Sequence, residues 1–167
     1  KTATNQVKID KTPPTGTIKI NNDSQYTNSL NVTLTLSATD SGSGLSQMQF
    51  SNDNVTYSAP EAYATTKAWA LTSGDGTKSV YVKFKDTPGN WSTAYSNTIL
   101  LDTTAPTTTA SPAGGTYNSA QSVTLTCDDG AGSGCDKIYY TIDGTTPGTS
   151  SPIYSSPVNI SATTTLQ

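Results

Sequence analysis

The chain has 167 residues, of which 32% are hydrophobic and 13% charged, and its net charge is −3. All of its cations are lysines, and a mildly acidic chain without arginine or a basic patch is not suited to binding nucleic acid. No run approaches the roughly 20 apolar residues of a membrane-spanning helix, so we expect no membrane insertion in this segment.

An internal repeat divides the chain. The stretch TNQVKID at 4–10 is similar to SNTILLD at 96–102, with Asp10 aligned to Asp102, and each is followed by a Thr/Pro-rich hinge, KTPPT and then TTAPT. A period of about 90 residues is close to one immunoglobulin-type sandwich and indicates tandem modules. We assign 1–9 to the terminal strand of a preceding module, 10–101 to a first sandwich and 102–167 to a second, C-terminally incomplete sandwich.

Apolar and polar residues alternate along the first module, which predicts strands. One apolar set lies at 32, 34, 36 and 38, and a second comprises Val80, Val82 and Phe84. A period of two, bounded by turns such as SGSG, SGDG and TPGN, is typical of strands with one buried face. No stretch has a helical period. The predicted fold is all-β, with tandem antiparallel sandwiches of the immunoglobulin-like or fibronectin type III-like kind.

The second module repeats this plan with a pair of cysteines. Its predicted inward residues are Val123, Leu125, Cys127, Ile138, Tyr140, Ile142, Val158 and Ile160. The spacing of Cys127 and Cys135 does not fit a CxxC metal or redox motif, and the chain has no histidine to complete a zinc site. The pair either forms a disulfide that closes a short loop, which implies an oxidising location, or remains as two buried thiols.

The sequence does not indicate an enzyme. Without histidine, Ser–His–Asp and Cys–His nucleophile schemes are excluded. The carboxylates lie almost entirely in turn motifs rather than in pairs that could flank a glycosidic bond. We therefore expect no catalytic residues and no required cofactor.

Calcium is the cofactor that the aspartates suggest. Asp10, Asp40, Asp86 and Asn90 occupy the incoming linker and two loops that lie at one end of an immunoglobulin-type sandwich, where oxygen ligands could hold Ca²⁺. The second module offers Asp102 with Asp128 or Asp129. The alternative is that these residues only shape turns, which Asp and Asn favour.

A sugar site is a further alternative. Trp91 follows the TPGN turn, where its ring could stack on a glycan or pack against the preceding module.

Several stretches of the chain also resemble known protein families. The chain contains the stretches DKTPPTGTI, ATDSGSGLSQMQFSND, KSVYVKFKDTPGN and SNTILLDTTAPT, and these resemble bacterial immunoglobulin-like repeats of large secreted and surface proteins. The second module contains SPAGGTYNSAQSVTL, IYYTIDGTTPGTSSPIY and SPVNISATTTLQ, and these stretches resemble the chitobiase/β-hexosaminidase C-terminal immunoglobulin-like domain.

The resemblance implies a spacer, stalk or fibre-forming segment of an adhesin-like protein that a bacterium secretes or displays on its surface. The expected partners are neighbouring modules of the same or identical chains, with surface glycans or other cell-surface proteins as further candidates. The alternative is a carbohydrate-binding accessory module of a secreted glycoside hydrolase.

Overall fold

The computed structural model describes residues 7–167, which form two compact units. The first unit ends at Thr103 and the second comprises Thr104–Gln167. All regular elements of the described residues are strands, so none of these residues forms a helix that could cross a membrane. The strands are β1 Thr15–Ile20, β2 Tyr26–Thr27, β3 Asn31–Thr39, β4 Leu45–Ser51, β5 Glu61–Ala62, β6 Thr66–Ala70, β7 Gly76–Asp86, β8 Tyr95–Leu101, β9 Thr107–Ser111, β10 Gln121–Asp128 and β11 Val158–Ile160. The all-β prediction is confirmed.

The first unit consists of two sheets. One has the order β1-β3-β6, and the other has the order β2-β8-β7-β4-β5. The neighbouring strands are antiparallel, except that β2 runs parallel to β8. In the pair of β1 and β3, Thr15 lies opposite Thr39 and Ile20 lies opposite Leu34. In the pair of β7 and β8, Leu101 lies opposite Gly76 and Tyr95 lies opposite Val82. The first and last long strands of the unit are therefore each paired along their length.

The core of the first unit comes from the alternation that the sequence shows. Val80, Val82 and Phe84 of β7 have no exposed surface, and neither has Leu34 of β3. Phe84 lies 5.9 Å from the Tyr63 ring in an edge-on arrangement, which is a favourable geometry for aromatic pairs. Period-two apolar residues on both sheets thus fill one continuous core.

The second unit has one sheet, with the order β11-β10-β9 and antiparallel neighbours. Val123 and Leu125 of β10 are each 8% exposed and form its inner face. The disulfide between Cys127 and Cys135 connects the end of β10 to the loop that follows, with the two Cα atoms 6.3 Å apart. Of the two alternatives for the cysteines, the disulfide is the one present.

The stretch 138–142 was expected to be a strand with an inward-facing isoleucine at 142, and this is wrong. Its pairing is limited to an isolated bridge between Tyr139 and Ile153, and the Ile142 side chain is 55% exposed. Thr141 instead exchanges two backbone hydrogen bonds with Gln167. Alternation alone cannot determine burial where a strand has few pairing partners.

The division between the two compact units lies near the predicted module boundary. The compact units divide between Thr103 and Thr104, two residues after the predicted boundary at 101/102. Of the predicted terminal strand 1–9, residues 1–6 lie outside the described residues. Residues 7–9 belong to no strand, and the assignment of this stretch stays a prediction.

Candidate metal centre

Three aspartates that are distant in sequence meet at one end of the first unit. Asp10 lies in the segment before β1, Asp40 follows β3, and Asp86 is the last residue of β7. One carboxylate oxygen from each lies within 4.8 Å of the others. The sequence predicted that these loops share one end of the sandwich, and the structure places the three side chains together.

The loop after β3 is organised by Asp40. Its Oδ2 accepts backbone N–H bonds from Gly42 at 3.1 Å, Ser43 at 2.8 Å and Gly44 at 2.8 Å. Gly44 has φ +83°, a conformation that glycine adopts without strain. These bonds, with that from Gly44 the largest contribution, lower the pKa of Asp40 below its ordinary value, so this carboxylate is ionised at neutral pH.

The Asp86 side chain has no exposed surface. Its burial raises the pKa, but hydrogen bonds from Asn90 and Gly89 outweigh this effect, and the pKa lies below its ordinary value. Oδ1 accepts backbone N–H bonds from Gly89 at 2.8 Å and Asn90 at 2.6 Å, and Oδ2 accepts the Asn90 side-chain amide at 2.7 Å. The carboxylate is held as an anion in a fixed position.

Asp10 connects the incoming segment to this cluster. Its Oδ1 accepts the backbone N–H of Thr12 at 3.0 Å, and its backbone carbonyl accepts the Asn90 amide at 3.1 Å. The carboxylate lies against Gly42, where a Cβ atom would overlap it. Lys8 Nζ donates to the Gly42 carbonyl at 2.5 Å, so the segment contacts the loop after β3 at two points.

Two oxygens of the cluster have no hydrogen-bond partner in the part of the chain that the structure describes. Asp10 Oδ2 and Asp40 Oδ1 are buried atoms, and neither has a partner among residues 7–167. Buried carboxylate oxygens are normally hydrogen-bonded or bound to a cation. The burial of these two oxygens arises from the packing of segments that are distant in the chain, so the sequence alone could not indicate it.

The second predicted set is divided between the units. Asp102 is 8% exposed in the first unit, whereas Asp128 and Asp129 belong to the second. Asp128 Oδ1 accepts the N–H of Gly130 at 2.8 Å. Asp129 resembles Asp40: its Oδ2 accepts the N–H of Gly134 at 2.6 Å, and its Oδ1 is buried without a partner among the described residues. Calcium binding by this set stays a prediction.

Trp91 is half-buried and one face of its ring is occupied. The Lys85 Nζ atom lies 5.6 Å from the ring centroid, and the two residues form an isolated backbone bridge. A cation over an indole ring is an attractive interaction that a stacking sugar would have to displace.

The sequence did not identify the roles of Gly42 and Lys8. The motif SGSG predicted a turn there, but the contact of Gly42 with Asp10 joins positions that are distant in the chain. No local pattern could have indicated it.

Comparisons with known proteins agree with this architecture. Residues 112–167 match the model of the chitobiase/beta-hexosaminidase C-terminal domain. The second unit is similar to that immunoglobulin-like domain. No curated protein matches the chain in sequence.

Two solved structures are similar to the chain. The PKD1 domain of Vibrio anguillarum Epp is 16% identical, with 55% of this chain and 96% of that chain covered and a TM-score of 0.41. The fibronectin(III)-like modules of Clostridium thermocellum CbhA are 13% identical, with 87% and 79% covered and a TM-score of 0.45. We assign the fold from the strands and sheets described above. Immunoglobulin-like domains of the kind that the second unit resembles are commonly spacers or accessory domains in modular proteins and are generally non-catalytic.

Proposed function

We propose that the chain is a load-bearing spacer of a modular, adhesin-like protein that a bacterium secretes or displays on its surface. The observation that carries this proposal is the attachment of the incoming segment to the first unit. Lys8 bonds to the loop after β3, the Asp10 carbonyl accepts a bond from Asn90, and Pro14 is fully buried. A segment held at three points transmits force and orientation to the sandwich, whereas a free linker would not.

The strand arrangement of the first unit suits this role. The chain enters the unit through β1 and leaves through β8, and each is paired along its length with an interior strand. Antiparallel hydrogen bonds are perpendicular to the strands. Tension along β1 or β8 therefore loads all bonds of a ladder together, in shear, rather than breaking them one after another.

The disulfide supports an extracellular setting. Cys127–Cys135 closes a loop in the second unit, and such bonds persist mainly in oxidising compartments. The bacterial origin and surface location rest on the resemblance to bacterial immunoglobulin-like repeats.

Force spectroscopy on single molecules of the 167-residue chain tests the proposal. We expect the first unit to unfold in one discrete event with a contour-length gain of about 300 Å, because about 90 residues extend by 3.3–3.6 Å each. Gradual extension at low force, without a discrete event for the first unit, would overturn the load-bearing role.

The family match of the second unit favours one alternative, an accessory module of a secreted glycoside hydrolase that binds carbohydrate. A pull-down on insoluble chitin, with Trp91→Ala as the matched variant, separates the two proposals. We expect no retention of either protein, because Lys85 lies over the Trp91 ring. Retention of the parent chain that Trp91→Ala abolishes would favour the accessory role instead.

A further inference from the structure

None of the ion pairs among residues 7–167 involves the three carboxyl groups of the acidic cluster of the first unit. Asp10, Asp40 and Asp86 each contribute one carboxylate oxygen, and these three oxygens lie within 4.8 Å of one another. The ion pairs among residues 7–167 involve other carboxylates, those of Asp23, Glu61 and Asp136. Like charges at this distance repel strongly where burial reduces screening by water.

Two of the carboxylate oxygens also lack a hydrogen-bond partner within residues 7–167. Asp10 Oδ2 and Asp40 Oδ1 are buried and accept no hydrogen bond from the described residues. The opposite oxygen of each carboxylate is bonded to the backbone, at Thr12 for Asp10 and at residues 42–44 for Asp40. Each of these two side chains is thus fixed by one oxygen, and its other oxygen is buried without a partner among residues 7–167, which leaves that oxygen available to a cation.

We infer that Asp10, Asp40 and Asp86 bind one calcium ion, which attaches the incoming segment to the end of the first unit. The ligands are oxygens only, without histidine or thiolate, and this favours Ca²⁺ or Mg²⁺ over zinc and copper. Calcium is the better match because it accepts irregular sets of six to eight oxygens, whereas magnesium demands near-ideal octahedral geometry. Backbone carbonyls and water complete the shell.

Asn90 is a positioning residue in this site. Its Nδ2 donates both to Asp86 Oδ2 and to the Asp10 carbonyl, so the amide nitrogen faces the cluster. An N–H donor cannot bind a cation, but it orients two of the groups around it. This differs from the expectation that Asn90 supplies a ligand oxygen.

Isothermal titration calorimetry of the 167-residue chain with CaCl₂ tests the inference. We expect one saturable site in the first unit, with a Kd on the order of 10⁻⁴–10⁻³ M, as in extracellular modules. Asp40→Asn and Asp86→Asn each remove one ligand charge and weaken binding at this site by about tenfold or more. Titration with MgCl₂ is expected to give clearly weaker binding.

Asp53→Asn is the matched control. Asp53 also lies in a loop of the first unit and accepts backbone N–H bonds, from Val55 and Thr56, but it does not belong to the cluster. Its replacement removes the same charge and should leave the calcium affinity unchanged.

Gly42→Ala tests the geometry without removing a charge. The φ of Gly42 lies outside the left-handed region, and the added methyl group overlaps the Asp10 carboxylate. We expect this variant to fold and to bind calcium more weakly, because Asp10 must move away.

Trypsin provides a second readout. Lys11 is exposed in the segment that the ion holds, so calcium should slow cleavage after Lys11 in the parent chain and not in Asp86→Asn. Two outcomes overturn the inference: no saturable calcium binding at millimolar concentrations, or binding that the three cluster variants (Asp40→Asn, Asp86→Asn and Gly42→Ala) and Asp53→Asn leave equally unchanged. Neither outcome affects the force measurement, so the spacer proposal stands or falls separately.

Discussion

At the scale of single residues, the aspartates of the first unit serve two purposes that composition does not distinguish. Asp53 Oδ1 accepts bonds from the Ser51 hydroxyl at 2.7 Å and from the N–H groups of Val55 and Thr56, both at 2.8 Å. Asp40 caps its loop in the same way through Oδ2 but leaves Oδ1 buried without a described partner. Asp53 therefore only stabilises its turn, whereas Asp40 stabilises its turn and also has a second carboxylate oxygen that could bind a cation.

Asp53 should make the stability of the first unit depend on pH. The bond from Ser51 and those from Val55 and Thr56 lower its pKa from 3.8 to about 2. A pKa that is lower in the folded state contributes stability above pH 4, and this stability is lost as the pH falls from about 4 to about 2. We expect Asp53→Asn to lower the melting temperature at pH 6, with a difference from the parent chain that vanishes towards pH 2.

Thermal melts at pH 2, 3, 4 and 6 measure this difference. Asp23→Asn is the control, because Asp23 forms an exposed ion pair with Lys19, and exposed pairs contribute little to stability. A difference between Asp53→Asn and the parent chain that is constant with pH would contradict the prediction.

At the scale of elements, strands with many paired neighbours were predictable and isolated ones were not. β7 has β4 on one side and β8 on the other, and its alternating residues Val80, Val82 and Phe84 are all buried. The stretch 138–142 alternates too, yet it forms one isolated bridge and Ile142 is exposed. Alternation determines which face of a strand is apolar, but pairing and covering by other strands determine whether that face is buried.

The disulfide is the element-scale feature with a measurable contribution to stability. Cys127 and Cys135 are 8 residues apart, and closing a loop of this size in the unfolded chain stabilises the fold by about 2–3 kcal/mol. We expect the double variant Cys127→Ser/Cys135→Ser to lower the unfolding free energy of the second unit by that amount. Denaturant titration with and without a reducing agent measures it.

Reduction of the parent chain should reproduce the effect of the double variant, and the first unit should be unchanged because it contains no cysteine. An equal loss of stability in both units would show that the substitution acts by another route.

At the scale of the whole molecule, two compact units predict two calorimetric transitions. Calcium should raise the melting temperature of the first, because an ion that binds only the folded state stabilises it in proportion to the logarithm of its concentration. At about 100 times the Kd this stabilisation is about 2.7 kcal/mol.

Asp86→Ala should abolish the calcium-dependent rise of the first transition and leave the second where it is, because residue 86 lies in the first unit. Differential scanning calorimetry in calcium and in EDTA measures both transitions. A first transition that responds to calcium equally in Asp86→Ala would contradict the assignment of Asp86 as a ligand.

The sequence by itself determined the all-β class, the inward faces of well-paired strands such as β3 and β7, and the linker and loops that carry Asp10, Asp40 and Asp86. These follow from a period of two, from turn residues and from the repeat, all of which are local or nearly local signals. Only the tertiary structure decided that β2 runs parallel to β8, that Gly42 touches Asp10, and that two carboxylate oxygens are buried without described partners. Those features join residues that are tens of positions apart, and their geometry arises when the two sheets pack together, not from any pattern along the chain.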